Sequence, residues 1–403
     1  MQDLRFALRQ LLKHPGLTAA VGFALAWATA SCSTTGDTGV LAVPTKTKHV
    51  VSMESDESRL ERVRLAQLGA ILGDARVVAL GEPALGMHET LVFRNRLFEY
   101  LVEEEGFTAI AVESAFPESK PLTTYIAGGP GTAEDALTNS RTWWHEPLDE
   151  NLQLVRWMRS HNTKPDRKHP VRLYAIDLSY TGPWGSRPTP LALEAALGYL
   201  DEVDATSAQE LRTILQPWLL RLASPMADWT SSEHDAFTAA IDDVVALFER
   251  ERVRYLAASS PTEYEWAHRA VIVAQQTDRM FRAAPSEPPG DRVPPSAWRM
   301  VNARDAAMAE NVLWALRQEG ETGRVLVVTH SVHAQIAATA GGPWDSYGRR
   351  PTSMGQYLRA SLGEKLVAVG MVEAPQSTAA GSGFDGLVGL GSLTPARPLV
   401  REE

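Results

Sequence analysis

Four short apolar runs punctuate the chain: Val77-Val78-Ala79-Leu80, Ala109-Ile110-Ala111-Val112, Leu173-Tyr174-Ala175-Ile176 and Val325-Leu326-Val327-Val328. None alternates with polar residues, which is the pattern of strands buried on both faces. Between them, apolar residues recur at three-to-four spacing over 58–72, 88–104, 151–161, 191–203 and 298–318, and this predicts helices. Buried strands separated by helices imply an α/β fold: a parallel-rich central sheet flanked by helices. A fifth strand is expected over 366–372. Residues 191–282 carry helical patterns and no strand, so a helical insertion between the third and fourth core strands is predicted, of the kind that walls a site. Prolines 285, 288, 289, 294 and 295 interrupt the pattern before the last helix. Residues 374–403, rich in Gly, Ser and Pro, read as an irregular tail, which leaves 49–373 as the α/β domain.

The amino-terminal stretch has a different grammar. Arg5, Arg9 and Lys13 precede an uncharged apolar run over 17–30, too short to span a bilayer comfortably, and Cys32 follows at once. The order resembles a bacterial lipoprotein signal, with 1–31 as signal peptide or membrane anchor, Cys32 as the lipidated residue and 32–48 as a linker. Residues 1–18 also resemble the amino terminus of macrolide-exporter-type permease subunits, and nothing after them continues as a permease. The expectation is an exported protein of the cell envelope, held at the membrane through an N-terminal lipid anchor or signal segment.

Composition narrows the partners. With 403 residues, 44% hydrophobic and 22% charged, the chain can bury an ample core without metal or disulfide staples, and a single cysteine permits no internal disulfide. A formal net charge of -10 argues against a surface built to neutralise phosphates, so no nucleic-acid partner is expected.

Each apolar run is followed within two residues by an ionisable group: Glu82, Glu113, Asp177 and His330. Ligands in open parallel sheets bind outside the carboxyl ends of the strands, so these groups are expected at one mouth. His330 and His333 stand three residues apart just past a strand. They serve either as metal ligands or as a general base with its neighbour, and spacing alone does not choose. The segment from Gly81 to Glu89 occupies a strand-to-helix junction and is neither a Walker loop nor a dinucleotide fingerprint. Arg94 and Arg96 follow on the next helix, and Arg94 is placed to reach back toward Glu82 or toward a substrate oxyanion. No Gly-x-Ser-x-Gly elbow is present, which disfavours a serine hydrolase.

Residues 77–114 (VVALGEPALGMHETLVFRNRLFEYLVEEEGFTAIAVES) resemble the opening block of the erythromycin esterase family. Residues 143–162 (WWHEPLDENLQLVRWMRSHN), 171–178, 304–316 (RDAAMAENVLWAL) and 325–333 (VLVVTHSVH) are similar to later blocks in the family's order. The resemblance implies an α/β fold with a helical insertion, and hydrolysis of a small-molecule ester or lactone by a water activated in a His- and Glu-rich cleft, without a covalent enzyme intermediate or a cofactor. In the family this is macrolide hydrolysis and antibiotic resistance. By position it casts His330 as general base, with His333, Glu82, Glu113 and Arg94 around it. Asp177, Arg96 and Arg304 are expected on the substrate side. One departure stands out: the family pattern Gly-Glu-x-x-His-Gly has Leu85 here where the histidine belongs. His88, three residues later, is then expected to bring its ring to the cleft. Two other readings stay open, a metal-dependent hydrolase using His330, His333, Glu82 and Glu113, and a non-catalytic lipoprotein that binds a ligand in the cleft.

Overall fold

The computed structural model describes residues 49–53, 58–140, 147–165, 169–181, 187–222, 228–285, 294–338, 349–373 and 383–399. Cys32 and the whole amino-terminal stretch lie outside the described residues, as do Trp143, Trp144 and His145. The chain divides into two compact units.

The larger unit comprises Pro44–Ser179, Asn302–Thr339 and Thr352–Glu403. Its first part runs β1 (His49–Met53), α1 (Ser58–Leu72), β2 (Val77–Glu82), α2 (His88–Glu104), β3 (Ala109–Ala115), α3 (Lys120–Ile126), α4 (Ala133–Asn139), α5 (Asp149–Thr163) and β4 (Arg172–Asp177). The smaller unit, Tyr180–Val301 at its centre, opens with a two-stranded antiparallel ribbon of β5 (Tyr180–Thr181) and β6 (Arg187–Pro188). It continues as α6 (Leu191–Val203), α7 (Ala205–Arg221), α8 (Ser231–Arg250), α9 (Arg252–Ala258) and α10 (Pro261–Arg282). This is the helical insertion between the third and fourth strands of the sequence reading. Its α8 starts with a reciprocal capping box between Thr230 and Glu233, and its core is aromatic, with Phe248, Tyr255 and Tyr264 fully buried.

After α11 (Trp298–Gln318) the chain returns to the sheet as β7 (Val325–His330), makes one helical turn, α12 (Ser331–Ala334), and finishes with α13 (Met354–Leu362), β8 (Leu366–Glu373) and β9 (Gly386–Leu390). All seven strands of the sheet are parallel, in the order β1-β9-β8-β2-β7-β3-β4. Strand β7 therefore enters between β2 and β3.

The absence of alternation in the apolar runs has its cause in two cores. Val78, Leu80, Ile110, Val112, Leu326 and Val328 pack on one face of the sheet with residues of α1, α2 and α5. Val77, Ala79, Ala109, Ala111, Val325 and Val327 pack on the other with Met308, Val312 and Leu358 of α11 and α13. Each face excludes water, so both parities of residue are apolar.

The carboxyl-terminal segment corrects the sequence reading. Within the stretch expected to be an irregular tail, Gly386–Leu390 is a buried strand between β1 and β8. Thr394, Ala396 and Leu399 then pair through the backbone with His88, Gly86 and Pro147. Two glycines in a five-residue strand hid this element, yet it pairs with a strand on each side and Leu387 and Val388 are buried. Phe384, just before it, lies against Gly81 and Gly370, and a side chain at Gly81 would meet the Ser331 Cα at 3.0 Å. No helix among the described residues is long and apolar enough to cross a membrane.

Candidate active site

Glu82 and His330 end β2 and β7, directly paired in register, and Glu113 lies two residues before the end of adjacent β3. Register is broken beyond Val112 on β3: Val112 pairs with Ala175, but Ala115 pairs with Asp177, so β3 carries one extra residue. Such a bulge re-aims side chains. Val112, Glu113 and Ser114, three consecutive residues, consequently all line one cavity of about 30 Å³, together with Glu82, Leu85, Gly86, Leu91, Arg94, Val328 and Thr329. That is room for about one or two water molecules.

On one side of the cavity Glu113, Arg304 and Asp177 are closely engaged. Glu113 is buried, its Oε2 accepting from Thr329 Oγ1 at 2.6 Å and from the His330 N–H at 2.8 Å, while Oε1 accepts from Arg304 Nη2 at 2.7 Å. Arg304 also clamps Asp177 in a bidentate pair, Nε to Oδ1 at 3.0 Å and Nη2 to Oδ2 at 2.7 Å, and its Nη1 lies 2.9 Å from His333 Nε2. His333 Nδ1 lies 2.8 Å from Asp305 Oδ1, which also accepts from the Met354 N–H. Burial opposes charge on His333, but Asp305 and Glu113 outweigh it and lift its pKa above the ordinary histidine value. Burial likewise works to raise the Glu113 pKa, yet His333, Arg304 and the hydrogen bonds outweigh it and hold that carboxyl at about 2.

The other side is underfilled. Glu82 is 3% exposed, and its carboxyl receives no hydrogen bond from a described residue. Burial pushes its pKa up to about 7, with Arg94 opposing and Glu113 adding to the rise. Arg94, buried on α2, turns Nε and Nη2 to Asn95 Oδ1 and Nη2 also to Asn151 Oδ1 at 2.9 Å, leaving Nη1 without a hydrogen bond to a described residue. Ser114 Oγ, buried in the same wall, has no hydrogen-bond partner among the described residues.

His330, cast as base by the resemblance, caps the one-turn helix after it: Nδ1 accepts from the Val332 N–H at 3.3 Å, and the Pro83 carbonyl hydrogen-bonds the ring. Burial drives its pKa down to about 4. The ring is neutral at pH 7 and a weak proton acceptor.

Three other expectations are corrected. His88 does not reach the cavity; as the first residue of α2 it turns toward α5, where Nδ1 lies 2.5 Å from Glu150 Oε1, and it stays 29% exposed. Arg96, two positions from Arg94 and so on another side of the helix, is exposed and lines no part of the cavity. Asp177 and Arg304 bind each other rather than standing ready for substrate. Conversely, sequence reasoning missed Asp305, Asn95, Asn151, Ser114 and Thr329. Asp305 and Ser114 had a signal in their adjacency to Arg304 and Glu113; Asn151 had none.

Residues 102–400 match the erythromycin esterase family. The chain belongs to that family. The match runs past the last of the family-like blocks, 325–333, and takes in the terminal strand. Erythromycin esterase type II of Escherichia coli is 24% identical over 329 residues, covering 78% of this chain and 72% of that protein. A putative hydrolase of Bacillus subtilis, YbfO, is 29% identical over 124 residues, or 30% of this chain and 26% of its own. Among solved structures, a Bacillus cereus protein superposes with TM-score 0.61 at 21% identity, over 81% of this chain and 71% of its own. A succinoglycan biosynthesis protein does so with 0.60 at 22% identity, over 77% and 69%. A mutant of the erythromycin esterase EreC in its open conformation gives 0.56 at 18% identity, over 84% and 80%. These likenesses show the fold; family membership supports a hydrolase.

Proposed function

We propose that the cavity hydrolyses a carboxylic ester or lactone of a small molecule by direct attack of water, with no covalent enzyme intermediate. The observation that carries this reading is a space of water size whose wall holds two buried carboxylates driven apart in pKa, Glu113 to about 2 and Glu82 to about 7, beside a guanidinium whose Nη1 no described residue engages. Pairs of titratable groups driven apart in pKa are the usual signature of acid and base roles. Arg94 Nη1 and Ser114 Oγ are the donors available to a carbonyl oxygen that gains charge in the transition state. His333 and Asp305 fix Arg304, and Arg304 fixes Glu113. The E. coli relative's name supports a macrolactone as one candidate substrate, and Leu85 weighs against identical chemistry.

The metal-dependent alternative meets a guanidinium where the metal would sit, because Arg304 already bridges His333, Glu113 and Asp177. The test is turnover by purified protein on a panel of macrolactones, small lactones and alkyl esters, with and without a chelator. Chelator-insensitive hydrolysis supports the reading, chelator-sensitive hydrolysis transfers it to the metal alternative, and binding without turnover leaves a ligand-binding protein. We further propose that Cys32 carries a lipid and that the mature chain begins there, anchored in the cell envelope. Intact-mass measurement of the native protein checks this: a mass beginning at Met1, or one cut elsewhere without lipid, rejects it.

A further inference from the structure

The geometry points to Glu82 as the catalytic residue that takes the proton from the attacking water, with Leu85 as the positioning residue that keeps that carboxyl free of competing donors. The inference rests on the hydrolase reading above and names the base within it.

Elimination gives the first argument. No imidazole of the described residues lines the cavity. His88 is spent on Glu150, His330 on the Val332 N–H and the Pro83 carbonyl, and His333 on Arg304 and Asp305. Glu113 is held by three donors, so its oxygens are poor acceptors for a further proton. Glu82 alone combines a place in the cavity wall with a carboxyl that no described residue hydrogen-bonds.

Surroundings give the second. Leu85, Leu91, Val112 and Val328 supply apolar wall around the carboxyl. The charged and titratable groups that face Glu82 are Arg94 from α2, Glu113 from β3 and His330, its neighbour in register on β7. Arg94 is the one cation among them, and Asn95 and Asn151 draw its Nε and Nη2 away. A histidine at position 85, as the family pattern has it, would bring a hydrogen-bonding ring into this wall; leucine can neither donate nor accept. A desolvated carboxyl titrating near neutrality is matched to proton transfer at working pH.

The step balances without any co-reactant. As the water oxygen bonds to the acyl carbon, a Glu82 oxygen accepts one of its protons, and the carbonyl π pair moves onto oxygen beside Arg94 Nη1. Collapse of the tetrahedral intermediate breaks the bond to the alkoxy oxygen, which takes the proton back from Glu82. Carboxylic acid and alcohol leave, or a hydroxy acid from a lactone, and Glu82 is again a carboxylate.

The experiment is the pH dependence of kcat/KM between pH 5 and 9, on a panel ester that the wild type cleaves, for wild type, Glu82→Gln, Leu85→Asn and the double variant Glu82→Gln/Leu85→His. Wild-type activity is expected to rise with pH through about 7, because the base must be unprotonated. Glu82→Gln should lose about 100-fold or more at every pH, the ordinary cost of removing a general base. In the double variant the new imidazole should recover about 10-fold, with a limb near the ordinary histidine pKa of about 6.5. Leu85→Asn leaves Glu82 in place and offers it an N–H, so its limb should move to lower pH; this variant decides the matter even if Glu82→Gln misfolds. Turnover within 10-fold of wild type in folded Glu82→Gln overturns the assignment alone, as does an unmoved limb in Leu85→Asn. No turnover by wild type on any panel member overturns the hydrolase reading, and this assignment with it.

Discussion

Two Glu–Arg couples sit near the carboxyl ends of β2 and β3, on either side of β7, and behave in opposite ways. Glu113 and Arg304 share a direct hydrogen bond at 2.7 Å, and each also meets further partners: Thr329 and a backbone N–H for the carboxylate, Asp177 and His333 for the guanidinium. In the second couple, Arg94 donates to Asn95 and Asn151, and Glu82 is left facing a small cavity with a leucine in its wall. Both glutamates are buried to the same degree, 4% and 3% exposed, yet one is held at about 2 and the other at about 7. Burial is therefore not what separates them. Neighbouring charge and then hydrogen bonds are: His333 and Arg304 favour the charged form of Glu113 and Thr329 and the His330 N–H add to that, whereas Glu82 has Arg94 opposed by Glu113 and no donor among the described residues.

The sharpest way to break the comparison is to remove the saturated couple's cation. Arg304→Ala strands Glu113 and Asp177 as buried charges, and unfolding in denaturant should show a loss of about 3–5 kcal/mol, together with loss of hydrolysis. A loss under about 1 kcal/mol would mean that water reaches these carboxylates and that the network is not closed.

The underfilled couple should respond in the other direction. Glu82 binds its proton more tightly in the folded chain than in the unfolded one, so its effect on stability is nil below pH 4.5 and grows unfavourable as pH rises to about 7, then stays constant. Glu82→Gln removes a penalty of about 3 kcal/mol and should stabilise the protein at pH 8 but not at pH 4. Glu113 contributes stability above pH 4.5 that is lost as pH falls toward 2. The same chain should thus gain stability from pH 7 to 4.5 through Glu82 and lose it below 4.5 through Glu113. Equal pH dependence of unfolding in wild type and Glu82→Gln would erase the contrast.

Asp305→Asn is a smaller perturbation of the saturated side. It removes the charge behind His333 and should cost about 1–3 kcal/mol. If His333 acts only through Arg304 and Glu113, the variant should lower kcat while leaving the acidic limb of the pH profile where wild type has it. A limb displaced with Asp305 would assign that limb to His333. Smallest of all is His88→Ala, which breaks a partly exposed pair outside the cavity; activity should stay within about 3-fold and stability within about 1 kcal/mol, since Glu150 keeps its contacts with the Arg397 N–H.

Much of the frame was legible along the chain. Helices at 58–72, 88–104, 191–203 and 298–318 stand where the periodicity put them, because an amphipathic stripe is a local property that packing only ratifies. The five strands read as uninterrupted apolar runs were found for the same kind of reason. Strands β1 and β9 were missed, the latter because Gly386 and Gly389 look like loop residues until neighbours on both sides supply the hydrogen bonds. That Glu82, Glu113 and His330 lie at or near the carboxyl ends of strands was legible too.

What those groups do was decided elsewhere. The sequence places Glu82 and Glu113 in equivalent positions, two residues or fewer past an apolar run, and gives no reason to charge one and not the other. The tertiary structure inserts β7 between their strands, adds a residue to β3 so that Glu113 and Ser114 share a wall, and brings Arg304, 191 residues away in the chain, onto one carboxylate. It turns His88 to Glu150 and leaves Leu85 beside Glu82. Residue type and strand end are written locally. Hydrogen-bond partners, and with them charge state and role, come from strand order and register, which are set by contacts between segments far apart in the chain.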